Sequence, residues 1–284
     1  MKMTNTNINN NADKAWSRLY ERLEGDGLVP DQTSVVKRVS FRKVRTIAAA
    51  AAIVIVASVT YLLSPFAKDN ADLRYISFLN EDSLSVFATT LEDGSAIYLA
   101  NNTTIELPEH FSGDKREIKL SGDAYFQVAR DEKKPFVIET ERIQVKVLGT
   151  SFNVRCAKDI APSLSVNTGL VEVTLKKTGE KVRVKAGESL LVASNVLKIV
   201  KTEDLSLFDA YTTNIRFKDE RLENVVKILN RNSQDANLEI SPDIADRKIT
   251  ATFDNSSPEV VQELISLALN LKSEKRGERY YLHQ

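Results

Sequence analysis

Leu84-Ser-Val-Phe-Ala88, Ala96-Ile-Tyr-Leu99, Ala124-Tyr-Phe-Gln-Val128, Phe136-Val-Ile-Glu-Thr140, Gln144-Val-Lys-Val-Leu148 and Leu170-Val-Glu-Val-Thr-Leu175 are short apolar or alternating runs rich in β-branched and aromatic residues. Turn chemistry separates them: Glu92-Asp93-Gly94, Ser121-Gly122-Asp123, Leu148-Gly149-Thr150, Thr178-Gly179-Glu180 and Ala186-Gly187-Glu188. Strands at this spacing, with no helical period between them, predict an all-β sandwich, barrel or solenoid over residues 84–204. Lys176-Lys177-Thr178-Gly179 reads as the tip of a hairpin.

The period changes past Leu205. Asn214-Ile-Arg-Phe217 has strand character, and Asp219 opens a helical pattern with Leu222, Val225, Val226 and Leu229 on one face. Strand-like residues follow at 237–240 and 249–253. Ser257-Pro258 then starts a second helix with proline at its preferred first position, and Val261, Leu264, Ile265 and Ala268 form its stripe. Phe217, Val225, Ile228 and Leu229 recur at an offset of 36 as Phe253, Val261, Leu264 and Ile265. Two such copies predict a small α/β domain of two βαβ-type units over 205–284.

On the other side of the β region, residues 46–67 contain no charge. In a helix, 22 residues span about 33 Å at roughly 1.5 Å each, against a hydrocarbon core of about 30 Å. Ile47, Ile53, Val54, Ile55, Val56, Val59, Leu62 and Leu63 favour insertion, at about −0.3 to −0.6 kcal/mol each. A buried helix of a water-soluble core would show one polar edge, and this stretch has none. A cleaved signal peptide would start earlier and run shorter. A single transmembrane helix is therefore expected, with residues 68–83 as a linker behind it.

The flanks orient that span. Lys37, Arg38, Arg42, Lys43 and Arg45 precede it without an acid among them, while Lys68 and Arg74 behind it are diluted by Asp69 and Asp72. The positive-inside rule places residues 1–45 in the cytoplasm and 68–284 outside it. The chain's formal charge is zero, so nothing in its bulk charge argues for nucleic acid.

Within the tail, Asn11 is placed to cap a helix that Gly25 or Gly27 ends. Ala12, Ala15, Trp16, Leu19 and Leu23 share one face, with Tyr20 alongside. The stripe fits an amphipathic helix on the membrane surface or, more specifically, helix-in-groove recognition by a cytoplasmic protein through Trp16, Leu19, Tyr20 and Leu23.

Chemistry is sparse. One cysteine, Cys156, in a β-like run, excludes an internal disulfide and reads as a packed thiol; two histidines, His110 and His283, are too scattered for a metal site. There is no Walker loop, Gly-x-Ser-x-Gly elbow or His-Glu-x-x-His pair. No catalytic residue, metal or cofactor is expected, and the chain does not read as an enzyme.

Six motifs occur in order: Leu91-Glu-Asp-Gly-Ser-Ala-Ile-Tyr-Leu-Ala-Asn101, Lys119-Leu-Ser-Gly-Asp-Ala-Tyr-Phe-Gln-Val-Ala129, Lys134-Pro-Phe-Val-Ile138, Val147-Leu-Gly-Thr-Ser-Phe-Asn-Val154, Thr168-Gly-Leu-Val-Glu-Val173 and Lys185-Ala-Gly-Glu-Ser189. Together they resemble the FecR family of membrane-bound sigma-factor regulators. Residues 205–284 resemble the secretin/TonB short N-terminal domain that follows in many members. Two departures stand out. Gly122-Asp123-Ala124 replaces the family's Gly-Glu-Ala, and Phe208 and Tyr211 stand near where members carry a tryptophan.

The resemblance implies an inner-membrane, single-pass anti-sigma factor. Its tail would hold an extracytoplasmic-function sigma factor, and its outer region would receive a signal from the signalling domain of an outer-membrane TonB-dependent transporter. Regulated proteolysis near the span is part of the implied relay, and the small residues Ala48 to Ala52 suit it. The competing reading is a membrane-anchored periplasmic structural or glycan-binding protein.

Overall fold

The structure, a computed structural model, describes residues 6–27, 74–158, 160–233 and 237–284. The chain divides into two compact units, Met1–Asn70 and Ala71–Gln284. Residues 46–67 and the basic flank 37–45 lie outside the described residues, and so does the span expected there. No helix among the described residues is long and apolar enough to cross a membrane.

In the first unit, helix α1 runs from Thr6 to Gly25. It starts before Asn11, which is therefore an interior residue and not its cap. Asparagine costs only several tenths of a kcal/mol in a helix interior, too little to stop one there. The end falls at the glycines, as expected, with Gly27 at φ +68.

The second unit is mostly β. Its first strands are β1 (Tyr75–Asn80), β2 (Val86–Thr90), β3 (Ala96–Leu99), β4 (Thr103–Pro108), β5 (Arg116–Ser121), β6 (Asp123–Gln127) and β7 (Phe136–Glu139). Next come β8 (Ile143–Val147), β9 (Ser151–Arg155), β10 (Ser163–Thr168), β11 (Leu170–Leu175), β12 (Lys181–Lys185), β13 (Glu188–Ala193) and β14 (Val196–Lys201). One sheet of seven strands has the order β1-β4-β5-β7-β8-β11-β12. The strands β14-β13-β10-β9-β6-β3-β2 form most of a second sheet.

The two sheets share one apolar core, which resolves the sandwich from the solenoid. Ile105, Ile118, Phe136, Ile138 and Val145 of the first sheet meet Ile97, Leu99, Phe126, Phe152 and Leu164 of the second, all buried. The Phe126 and Phe152 rings stack at 5.4 Å between centroids. Each such side chain contributes about 1.5–3 kcal/mol by leaving water. Gly122, between β5 and β6, has φ +124, and a Cβ there would lie 2.5 Å from Thr103 Oγ1. Only glycine allows that crossing of backbones. Gly179, at φ +73, turns the β11–β12 hairpin where the sequence placed it.

The linker expected over 68–83 contains strand β1. Ile76, Phe78 and Asn80 point toward the core side, and Phe78 packs against it. Asn80, fully buried, donates to the carbonyls of Ser85 and Leu99, both at 2.9 Å. A strand with an uncharged outer face carries no alternation, so the sequence pattern did not expose it.

After a 3-10 turn at Leu205–Tyr211 come β15 (Asn214–Arg221), helix α2 (Leu222–Asn232), β16 (Leu238–Ile240), β17 (Lys248–Asp254), helix α3 (Pro258–Leu269), β18 (Lys272–Arg276) and β19 (Arg279–His283). These are two strand-helix-strand copies, but they are not βαβ crossovers. β15 and β17, the first strands of each copy, pair antiparallel with each other and extend the second sheet to nine strands. β16, β19 and β18 form a separate sheet of three strands. Pairing like with like lets Phe217 and Phe253 meet edge to face at 6.0 Å.

The copies have also diverged. Ile228 is buried on α2, whereas its counterpart Leu264 on α3 is 43% exposed. The reason is neighbourhood: α2 packs against β15, β16 and also β2 of the sandwich, while α3 packs against β17, β18 and β19.

Candidate functional site

On α1, the helical period puts Trp16, Leu19, Tyr20 and Leu23 on adjoining positions of one side. Trp16 is 62% and Tyr20 61% exposed; Leu19 is exposed and Leu23 half-buried. The residues the sequence singled out are therefore brought together and left open to solvent. An indole and a phenol cost little rotamer entropy to fix and bury a large area, so they suit a groove in a partner.

The second unit carries a buried seam that the sequence did not reveal. Tyr98 on β3 and Tyr125 on β6 point away from the sandwich core, since their strand neighbours Ile97, Leu99, Ala124 and Phe126 face into it. Both tyrosines are nonetheless buried, because residues 205–232 cover that face. Tyr125 lies 5.5 Å from Phe208, 5.6 Å from Tyr98 and 5.7 Å from Tyr211, centroid to centroid. Phe208 and Tyr211, both on the 3-10 turn, thus supply the aromatic contact to Tyr125.

Polar groups fix the register of this contact. The Tyr211 hydroxyl donates to Asp123 Oδ1 at 2.5 Å and accepts from Asn153 Nδ2 at 2.6 Å. Asn153 also donates to Asp123 Oδ1 at 2.7 Å, and Arg155 Nε donates to Asp123 Oδ2 at 2.8 Å. Asp123 is the hub joining β6, β9 and the 3-10 turn.

A second tie closes through Tyr98. Its hydroxyl accepts from Asn232 Nδ2 at 2.9 Å and donates to Gln127 Oε1 at 3.1 Å, while Gln127 Nε2 donates to Asn232 Oδ1 at 3.2 Å. Burial raises the ionisation of both Tyr98 and Tyr211, and the Asp123 carboxylate adds to the effect at Tyr211. Both remain neutral hydrogen-bond partners through physiological pH.

Along the edge of the seam, β15 runs parallel to β2 with Ile215 opposite Val86 and Arg216 opposite Phe87. Asn214 Nδ2 donates to Leu84 O and Arg216 NH2 to Asn80 Oδ1, both at 2.9 Å. Thr89 Oγ1 donates to Glu220 Oε2 at 2.9 Å. The one available signal was burial on both faces. β3 and the centre of β6 read as continuous apolar or aromatic runs, the mark of a strand covered on each side.

Other polar clusters serve the fold. Arg116 is buried over the Phe136 ring, with NH1 donating to Asp93 Oδ2 at 2.6 Å and Ala129 O at 2.9 Å, and Nε to Lys134 O at 2.8 Å. It ties the β2–β3 and β6–β7 loops to the start of β5. Cys156 is packed, its Sγ 3.6 Å from Leu120 O, and burial pushes the thiol up to about 11. No group of three or more metal-ligating side chains occurs among the described residues.

Residues 85–172 match the family model described as FecR protein. No curated protein matches the chain. Two crystal structures of a candidate anti-sigma factor from Parabacteroides distasonis ATCC 8503 are similar to it. One, at 2.50 Å resolution, is 28% identical, with 74% of this chain and 99% of that one covered and a TM-score of 0.45. The other, at 1.65 Å, is 30% identical, with 75% and 99% covered and a TM-score of 0.44. With six motifs in family order, the paired strands they form and the match over residues 85–172, the chain belongs to the FecR family.

Proposed function

We propose that this chain is an anti-sigma factor and signal transducer held in the inner membrane by a helix over 46–67. In this reading residues 1–45 lie in the cytoplasm and residues 68–284 in the periplasm. The single observation that carries the sigma-binding role is the open face of α1, where Trp16, Leu19 and Tyr20 stand exposed beside Leu23. A protein that used the span only as an anchor has no need of that face. The cytoplasmic partner is an extracytoplasmic-function sigma factor that accepts the helix in an apolar groove.

On the periplasmic side, the module of residues 205–284 receives the signalling domain of an outer-membrane TonB-dependent transporter. The seam supports a relay role for the second unit. Phe208, Tyr211 and β15 join that module to the sandwich through aromatic contact and charge-assisted hydrogen bonds, so a force on one reaches the other.

The test is co-purification of the full chain, extracted in detergent, with the sigma factor encoded beside it. Trp16→Ala is expected to lose the complex, since truncating an aromatic anchor costs at least about 2 kcal/mol, or roughly 30-fold in affinity. Retention of the sigma factor by the variant, or its absence from the native chain, rules this reading out.

A further inference from the structure

Every sheet in the second unit has open edges, and most carry the devices that keep an edge from pairing with another chain. β12 (Lys181-Val-Arg-Val-Lys185) and β18 (Lys272-Ser-Glu-Lys-Arg276) are charged along their length, and β16 is three residues long. β17 turns Lys248, Thr250, Thr252 and Asp254 outward. β14 is different. Val196-Leu-Lys-Ile-Val-Lys201 is the edge of the nine-stranded sheet, is bonded to β13 alone, and carries apolar residues on both faces.

Its exposure matches that composition. Val196 is 60% exposed and Ile199 40%, beside an exposed Leu191 on β13. Ile199 lies opposite Leu190 and Leu197 opposite Val192, so both are on the core-facing side, where Leu197 packs against the core and Ile199 stays exposed.

The hydrogen-bond phase of the edge determines what can pair with it. Thr202 N donates to Gly187 O at 2.9 Å in the β13–β14 ladder. Bonding alternates by two residues in an antiparallel ladder, so Val200, Lys198 and Val196 turn their backbone groups to β13. Leu197, Ile199 and Lys201 therefore turn theirs outward.

We propose that β14 is a homodimer interface, in which the β14 edges of two copies pair antiparallel about a two-fold axis at Ile199. That register uses every outward backbone group: Ile199 pairs with itself, and Leu197 pairs with Lys201 of the second copy. Paired residues then differ by an even number, so the core-facing sides of both copies stay on one side of the joined sheet. Charge agrees with the geometry. Lys198 falls opposite Val200 and Lys201 opposite Leu197, so no lysine directly faces a lysine, whereas an axis at Lys198 would set that residue against itself. The contact is isologous and closed, leaving no further edge at β14 for growth.

Ile199→Cys in the full detergent-extracted chain tests this. A hydrogen-bonded pair holds its Cα atoms about 5.5 Å apart, within disulfide reach. Mild oxidation is expected to give a covalent dimer from Ile199→Cys, while the native chain, whose Cys156 is buried, and Leu170→Cys, exposed elsewhere, stay monomeric on a denaturing gel. Light scattering is expected to give twice the protomer mass for the native chain and the protomer mass for Ile199→Lys, with unchanged circular dichroism. A native chain of protomer mass, equal cross-linking of Ile199→Cys and Leu170→Cys, or cross-linking of Ile199→Cys only to other proteins would overturn the proposal.

Discussion

Replacing Tyr211 by Phe removes one hydroxyl and leaves the ring on Tyr125. The hydroxyl is the 2.5 Å donor to Asp123 Oδ1 and the 2.6 Å acceptor from Asn153. Asp123 keeps Asn153 and Arg155, and Asn153 keeps Asp123 and the Ala124 carbonyl at 3.2 Å. No group is orphaned, so the expected cost is that of one hydrogen bond to a charged group, about 1.5–3 kcal/mol. In a unit of this size each kcal/mol lowers Tm by about 2–4 °C, which gives a fall of roughly 3–12 °C. Urea unfolding of the full chain, with Tyr211→Phe, Asp123→Asn and the double variant, measures the coupling directly. If Asp123 is the hub, the two single losses should exceed the double loss by at least about 1 kcal/mol. Strictly additive losses, or a Tyr211→Phe variant within about 0.5 kcal/mol of the native chain, would show that packing alone holds the seam and that the polar hub is incidental.

At alkaline pH, Tyr98 and Tyr211 should resist ionisation, because burial raises both above the ordinary value of 10.0. Their contribution to stability is complete below that value and falls as pH rises toward the folded ionisation, since only the unfolded chain releases those protons. Tyrosinate absorbance against pH should therefore show Tyr98 and Tyr211 titrating only with unfolding. Gly122→Ala should lower Tm by several degrees, because its Cβ meets Thr103 at 2.5 Å and its φ is strained for any other residue; thermal melts read this directly. The two helices should respond unequally to charge. Leu264→Lys, on an exposed face, should change stability by less than about 0.5 kcal/mol, while Ile228→Lys at the matching position of α2 should prevent folding, as soluble yield and circular dichroism would show.

The seam ties distant parts of the second unit together. Two polar ties and a tyrosine-phenylalanine cluster join elements more than eighty residues apart in sequence. A rigid joint of this kind passes displacement on, where a flexible linker would absorb it.

Much of this was legible in the residues themselves. Period-two runs and glycine turns determined an all-β region, because a half-buried strand must alternate and a tight turn must admit positive φ. The apolar face of α1 followed from helical spacing, and the 36-residue repeat from matching side chains in α2 and α3. Three things were decided only by tertiary structure. Strand β1 is held by Phe78 and Asn80, whose partners come from other strands. The two C-terminal copies exchange their expected crossovers for β15–β17 pairing, since backbone hydrogen bonds go to whichever edge lies nearest in space. Asp123 becomes a hub only when β6, β9 and the Tyr211 turn meet. A sequence records what each residue can donate, accept or bury, and the fold alone determines which partner it finds.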